Sequence, residues 1–250
     1  MPQPRYGYRR TFSSDNFPPV LKWLIIVNVV VYVVDFLFGG MNIAGATLHD
    51  HVRAIFGLSA FGVTNSFFVW QLVTYMFVHG GLMHLLFNML TLWFFGTTLE
   101  RDWGSRQFLK YYLYCGIAAG VCVLIADFLT RDSITIGASG AIFGVLVAFG
   151  VLYPNQTVLM SFLFPIRAKY MVMIYAAIEL LLTFGPNSGI STIAHLGGMA
   201  FGYVYLKGRL PKAKLRLPNL GAAYKQWKLQ RAKKKFQVYM RKHGNGPWVN

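Results

Sequence analysis

Gly137-Ala138-Ser139-Gly140-Ala141-Ile142-Phe143-Gly144-Val145-Leu146-Val147-Ala148-Phe149-Gly150-Val151-Leu152-Tyr153-Pro154 carries no charged side chain and is bounded by a glycine at one end and a proline at the other. The run predicts a helix from Ser139 to Leu152, stopped by Pro154, because the residue before a proline is pushed out of helical backbone. A helix of those 14 residues rises about 21 Å, whereas the hydrocarbon core of a bilayer is about 30 Å thick. Inside a membrane it cannot reach both surfaces. With Tyr153 and Pro154 fixing one end near a surface, Ser139 starts the helix below the other surface. Non-helical backbone at that depth is tolerated only where it is buried in protein or lines a water-filled cavity, so a hydrated pocket is expected at Ser139.

Composition requires the membrane. Of 250 residues, 55% are hydrophobic and 13% charged, roughly half the charge of a water-soluble domain. That balance excludes a soluble enzyme, a disordered chain and a secreted disulfide scaffold. Cys115 and Cys122 share one apolar run without CxxC or zinc-like spacing, and read as small buried hydrophobes.

Outward from the central run, further apolar segments lie at Val20 to Phe38 and at about 80–99, 108–129, 170–184 and 193–206. The first follows a polar, basic stretch and lacks a small-residue cleavage pattern, so it reads as a retained transmembrane helix. Six spans put both termini on one side. The formal net charge of +16 gives that side its identity. The segments of the opposite side carry only Arg53 and Arg131, and every other Lys and Arg, 13 of them from Lys207 onward, lies at the termini or on their side. The asymmetry places both termini in the cytoplasm.

From Lys207 to Asn250 there is no acidic residue. Ala222 to Lys242 reads as a basic helix with Tyr224, Trp227, Phe236 and Tyr239 available to lie against lipid. A solvated positive tail that reinforces orientation is the plainer reading, anionic-lipid binding the second, and nucleic acid is not expected as a partner. The first loop, with Phe56, Phe61, Phe67, Phe68 and Trp70, is too apolar to be free and is expected to be partly embedded in the outer leaflet.

The spans hold few polar residues. Ser139 at a helix start reads either as an N-cap or as a nucleophile whose oxyanion meets the free N–H groups of the first turn, with Gly137 and Gly140 allowing close backbone approach. The tetrapeptide alone leaves both open. His195 is an ionisable side chain inside a span, hence a functional candidate, with a histidine satisfied by a neighbouring helix as the alternative. Gly140 to Gly144 and Gly198 to Gly202 are each Gly-x-x-x-Gly, a pattern that lets membrane helices approach closely. Packing these faces together would bring His195 within hydrogen-bonding reach of Ser139, the geometry of a serine–histidine dyad.

His84 and Asn88 are four apart and share a helix face, where both can donate to a developing oxyanion or serve as interhelical hydrogen-bond glue. His79 and His84 lack the His-Glu-x-x-His arrangement of a zinc protease, and no metal or cofactor is expected. No Gly-x-Gly-Asp or Tyr-Asp pair of an intramembrane aspartyl protease occurs in the spans, and Asp35 and Asp127 lie near outer span ends. Glu179, deeper in the fifth span, reads as a buried hydrogen-bonded carboxylate outside the catalytic set, with a gate or proton site as the alternative.

Taken in order, Thr74-Tyr75-Met76-Phe77-Val78-His79, His84 with Asn88, Leu99-Glu100 followed by Gly104, Gly137 to Gly144, and Ala194-His195-Leu196-Gly197-Gly198 resemble the rhomboid family of intramembrane serine proteases. The likeness runs from about Trp70 to Leu206. It implies an all-α, polytopic membrane protein, a six-helix bundle with a short central fourth helix; the apolar runs and the charge asymmetry set that domain at 20–206, between a cytoplasmic segment 1–19 and a basic cytoplasmic tail 207–250. The resemblance implies Ser139 as nucleophile, His195 as base with no third acidic member, and His84, Asn88 and the Ser139 backbone N–H as oxyanion hole. Phe143 falls where the family carries an aromatic that stacks on the histidine, with Gly137, Gly140 and Gly198 in support. By the same resemblance His79 is structural, Glu100 ties the turn after span two, and span five with the loop Gly185 to Gly189 gates lateral substrate access. One departure is Trp70-Gln71, where the family often has Trp-Arg, and it bears on how the first loop is anchored.

The implied partners are transmembrane protein substrates and membrane lipid, and the implied location is a bacterial inner membrane. Met1 to Pro19 and Pro211 to Asn250 match no motif, and neither an added soluble domain nor a seventh span is expected. Two other functions compete. A non-proteolytic relative that binds membrane clients would ordinarily lack the serine or the histidine. A transporter is suggested by His84, His195 and Glu179 but lacks the paired halves common to transporters.

Overall fold

The computed structural model describes residues 17–130, 134–160, 163–184, 190–209, 228–234 and 239. Its order is α1 (Pro19–Phe38), a hairpin of β1 (Asn42–Ile43) and β2 (Ala46–Thr47), α2 (Leu48–Phe56), α3 (Ala60–Thr64), α4 (Gln71–Thr74), a 3-10 turn (Tyr75–Phe77), α5 (Leu82–Trp103), α6 (Ser105–Thr130), α7 (Ser139–Leu152), β3 (Thr157–Met160), β4 (Phe164–Arg167), α8 (Ala168–Thr183) and α9 (Ile190–Arg209). The two hairpins are antiparallel and small, so the architecture is helical.

α7 is the centre. It packs against α5, α6 and α8, and buries all but four of its 14 residues. A helix that is hydrophobic all round has no solvent face to offer and belongs inside a bundle. α1 is the opposite case: it buries Leu21, Leu24 and Asn28 while Trp23, Val30, Phe36 and Leu37 stay exposed. Pro19–Phe38, Leu82–Trp103 and Ser105–Asp127 are each long and apolar enough to cross a membrane, and Ser139–Leu152 is a shorter apolar helix.

Pro18 gives α1 no side-chain cap, and the cap comes from another helix. Glu100, 2% exposed on α5, accepts from the Val20 N–H at 2.9 Å and the Leu21 N–H at 2.7 Å, and from the Ser105 hydroxyl at 2.6 Å. One carboxylate thus closes the start of α1 and the turn between α5 and α6, and its negative charge sits at the favourable end of the α1 dipole.

The first loop is folded. Thr47 and Asp50 form a capping box at the start of α2. The Thr47 hydroxyl, and then its backbone N–H, hold the exposed Asp50 carboxyl below its usual range. Gln71 is fully buried and anchors the loop: its Nε2 donates to the Ala54 carbonyl at 2.8 Å, and its Oε1 accepts from the Ser59 N–H at 3.2 Å. The Trp70 indole N–H donates to Ile55 O at 2.9 Å and the Thr74 hydroxyl to Phe56 O at 2.8 Å.

Residues 1–208 form one compact unit and 209–250 a second. Within the second, 228–234 are helical. Most of the basic helix expected at Ala222 to Lys242, the loop Gly185 to Gly189, Arg131 and Met1 to Asn16 lie outside the described residues.

Candidate active site

Ser139 is placed by the backbone ahead of it. Leu58 and Thr135 form an antiparallel bridge with bonds of 2.9 and 2.8 Å, and the Gly137 N–H donates to Tyr75 O at 2.9 Å. The chain then turns through Gly137 at φ +117°, a left-handed conformation that favours glycine, directly into α7. Two tyrosines fasten the neighbouring helices: the Tyr75 hydroxyl donates to Gly116 O and the Tyr111 hydroxyl to Gly144 O, both at 2.7 Å.

The N-cap is Ala138, without a side-chain cap bond, so Ser139 is the first helical residue and its hydroxyl is not spent on capping. His195 Nε2 lies 2.7 Å from Ser139 Oγ. The first-turn N–H groups of α7 have no partner within the helix, as at any helix start.

His195 is held from three sides. The Phe143 ring stacks on it with centroids 4.2 Å apart and planes at 21°. Tyr175 of α8 meets the edge of Phe143 at 6.2 Å. Beneath, α7 and α9 touch through backbone: a β-carbon on Gly198 would overlap the Gly140 carbonyl oxygen, and one on Gly202 would lie 3.1 Å from Gly144 Cα. The third contact is Glu179, whose Oε1 is 3.0 Å from His195 Nδ1. The approach meets the distance of an ion pair but not the alignment of a hydrogen bond, since Nδ1 has no hydrogen-bond partner.

His84 and Asn88 converge on the residue before the serine's own neighbour. A β-carbon on Gly137 would meet His84 Cε1 at 2.7 Å, His84 Nε2 at 2.8 Å and Asn88 Nδ2 at 3.9 Å. Asn88 Nδ2 is buried without a hydrogen-bond partner. An unsatisfied buried donor is costly and calls for an explanation. His79 is 2% exposed and packs edge-on against His84, centroids 5.1 Å apart, outside the set nearest Ser139. Among the described residues, no group of three or more His, Cys, Asp or Glu is placed to hold a metal.

Ser139, His195, Phe143, His84, Asn88, Gly137, Gly140 and Gly198 are therefore all brought to one end of α7. Glu179 joins them, a neighbour that sequence reading set apart. No local spacing signals it, because its proximity to His195 depends on how α8 lies against α9.

The Rhomboid domain model matches residues 66–212. The chain is 33% identical over 209 residues to Rhomboid protease GluP of Bacillus subtilis, covering 83% of this chain and 37% of that protein. It is 36% identical over 136 residues to RHOMBOID-like protein 4 of Arabidopsis thaliana, covering 54% and 32%. It is also 36% identical over 137 residues to the mitochondrial Rhomboid protein 1 of Saccharomyces cerevisiae, covering 52% and 38%. The chain thus spans about a third of the length of these curated relatives. With a family model over more than half of its length and several apolar helices, the chain belongs to the rhomboid family and is an integral, multi-pass membrane protein.

Proposed function

We propose that the chain is an intramembrane serine endopeptidase that cleaves transmembrane proteins in or near their membrane-spanning segments. The observation that carries this reading is the 2.7 Å approach of His195 Nε2 to Ser139 Oγ, with the hydroxyl free of any capping role. Ser139 Oγ attacks the scissile carbonyl carbon while His195 Nε2 takes its proton; the same proton passes to the leaving amine, and the acyl-enzyme is hydrolysed by a water that His195 activates in turn. Negative charge on the carbonyl oxygen develops beside the unpaired Asn88 amide, His84 and the first-turn N–H of Ser139, donors fixed before the reaction begins. Phe143 limits the imidazole to the plane in which Nε2 faces the serine.

The same proposal makes α1, α5, α6, α7, α8 and α9 six spans of a domain over 20–206, with 1–19 and 207–250 in the cytoplasm. Support comes from the distribution of Lys and Arg, of which Arg53 and Arg131 alone fall in the outer segments. The setting is a bacterial inner membrane, and the acid-free tail from Lys207 lies against its anionic headgroups.

Cleavage of a model transmembrane substrate in proteoliposomes tests the reading. Wild type is expected to cut, whereas Ser139→Ala and His195→Ala are expected to insert and fold without cutting. Client binding that is the same in wild type and Ser139→Ala, with no cleavage by either, would favour a non-proteolytic binding protein instead.

A further inference from the structure

We propose that Glu179 is a positioning residue for His195, making this site a serine–histidine pair backed by a carboxylate; the inference rests on the endopeptidase reading above. Glu179 Oε1 lies 3.0 Å from His195 Nδ1, with the two side chains only 12% and 17% exposed. Glu179 Oε2 and His195 Nδ1 are both buried without a hydrogen-bond partner. Each is the polar complement of the other.

The chemistry follows from which nitrogen carries the proton. A carboxylate beside Nδ1 favours the tautomer with the proton there, which leaves the Nε2 lone pair facing Ser139 Oγ. When Nε2 then takes the serine proton, the imidazolium forms next to a negative charge in surroundings of low polarity, where the attraction is strong. The off-axis approach is consistent with a resting site, because catalytic hydrogen bonds are often poorly aligned before substrate arrives and tighten in the reactive complex.

Several helices supply the groups around His195. Ser139 and Phe143 come from α7, Tyr175 and Glu179 from α8, and Thr192 lies one turn earlier on α9. His84 of α5 is within electrostatic reach, and Cys122 of α6 abuts Gly197. Of these, Glu179 alone is an acidic side chain. Asp127, an acid buried near the end of α6, serves as a control.

The test follows the pH dependence of fluorophosphonate labelling, which needs no substrate, together with kcat and KM on a model transmembrane substrate. Glu179→Gln is expected to slow labelling and kcat by about 10- to 1,000-fold while KM changes little. Removing the anion removes its stabilisation of imidazolium, so the acid limb of the labelling profile should move to lower pH by about one unit or more. Glu179→Asp should recover most of the rate and the limb, and Asp127→Asn should leave both in place. Labelling by Glu179→Gln at the wild-type rate with an unmoved limb overturns the inference, as does a shift produced equally by Asp127→Asn. Equal losses in Glu179→Gln and Glu179→Asp with the limb unmoved mean a structural carboxylate and overturn it too. A wild type that is not labelled at Ser139 overturns the endopeptidase reading and this inference with it, so the two failures are told apart.

Discussion

Gly198 and Gly140 lie backbone to backbone, so close that a β-carbon on Gly198 would overlap the Gly140 carbonyl oxygen. Gly140 follows Ser139 directly, and Gly198 is nearly one turn after His195. This contact therefore sets the 2.7 Å between the serine and the imidazole as much as either side chain does. Gly198→Ala must push α9 away. It is expected to cost about 1–3 kcal/mol of stability from overpacking. A displacement of about 1 Å at the reacting groups is expected to lower kcat by roughly a hundredfold. Thermal unfolding in detergent and single-turnover cleavage measure the two effects; a Gly198→Ala protein of unchanged Tm and kcat contradicts this assignment.

Asn88 holds a buried amide nitrogen without a partner, beside Gly137. Replacing it with alanine removes an orphan and, in the proposed mechanism, an oxyanion donor. Asn88→Ala is expected to leave Tm unchanged or raised while kcat falls about 100- to 1,000-fold with little change in KM. A variant with reduced Tm and full kcat would instead make Asn88 interhelical glue.

Much of this geometry is legible in the sequence. The bounds of α7 follow from Gly137 and Pro154, because a left-handed turn and a helix-stopping ring leave the chain little choice. Close contact of α7 and α9 follows from two Gly-x-x-x-Gly patterns. The end of α5 is less legible: the helix runs on to Trp103 because Glu100, polar and near the expected stop, is satisfied by the amides of α1. The short helices of the first loop hide behind their aromatics, although Thr47-x-x-Asp50 carries a capping signal at the start of α2. Glu179 is least legible, since its partner lies on another helix and nothing in its own neighbourhood marks it.

Glu100 accepts two backbone N–H groups at the start of α1 and the Ser105 hydroxyl, in buried and part-buried settings. Glu100→Ala leaves those donors unsatisfied and is expected to cost about 2–4 kcal/mol, seen as a lower Tm in detergent. The Ser139 labelling rate of the folded fraction should be close to wild type. Unchanged stability would show that the α1 cap is dispensable.

A histidine base must be neutral to accept the serine proton. Cleavage is therefore expected to fall on acidification through the range in which the imidazole takes up a proton. The sign is fixed: activity is present above that range and lost below it. A profile that is flat between about pH 5 and 8, at constant folded fraction, contradicts a histidine base.

The central claim is that Ser139 is the nucleophile, and the most direct measurement is intact-mass analysis and peptide mapping after fluorophosphonate treatment of the purified membrane protein. One adduct on Ser139 is expected in wild type, absent from Ser139→Ala and strongly reduced in His195→Ala. An adduct that persists in Ser139→Ala, or that maps to another residue, would contradict it.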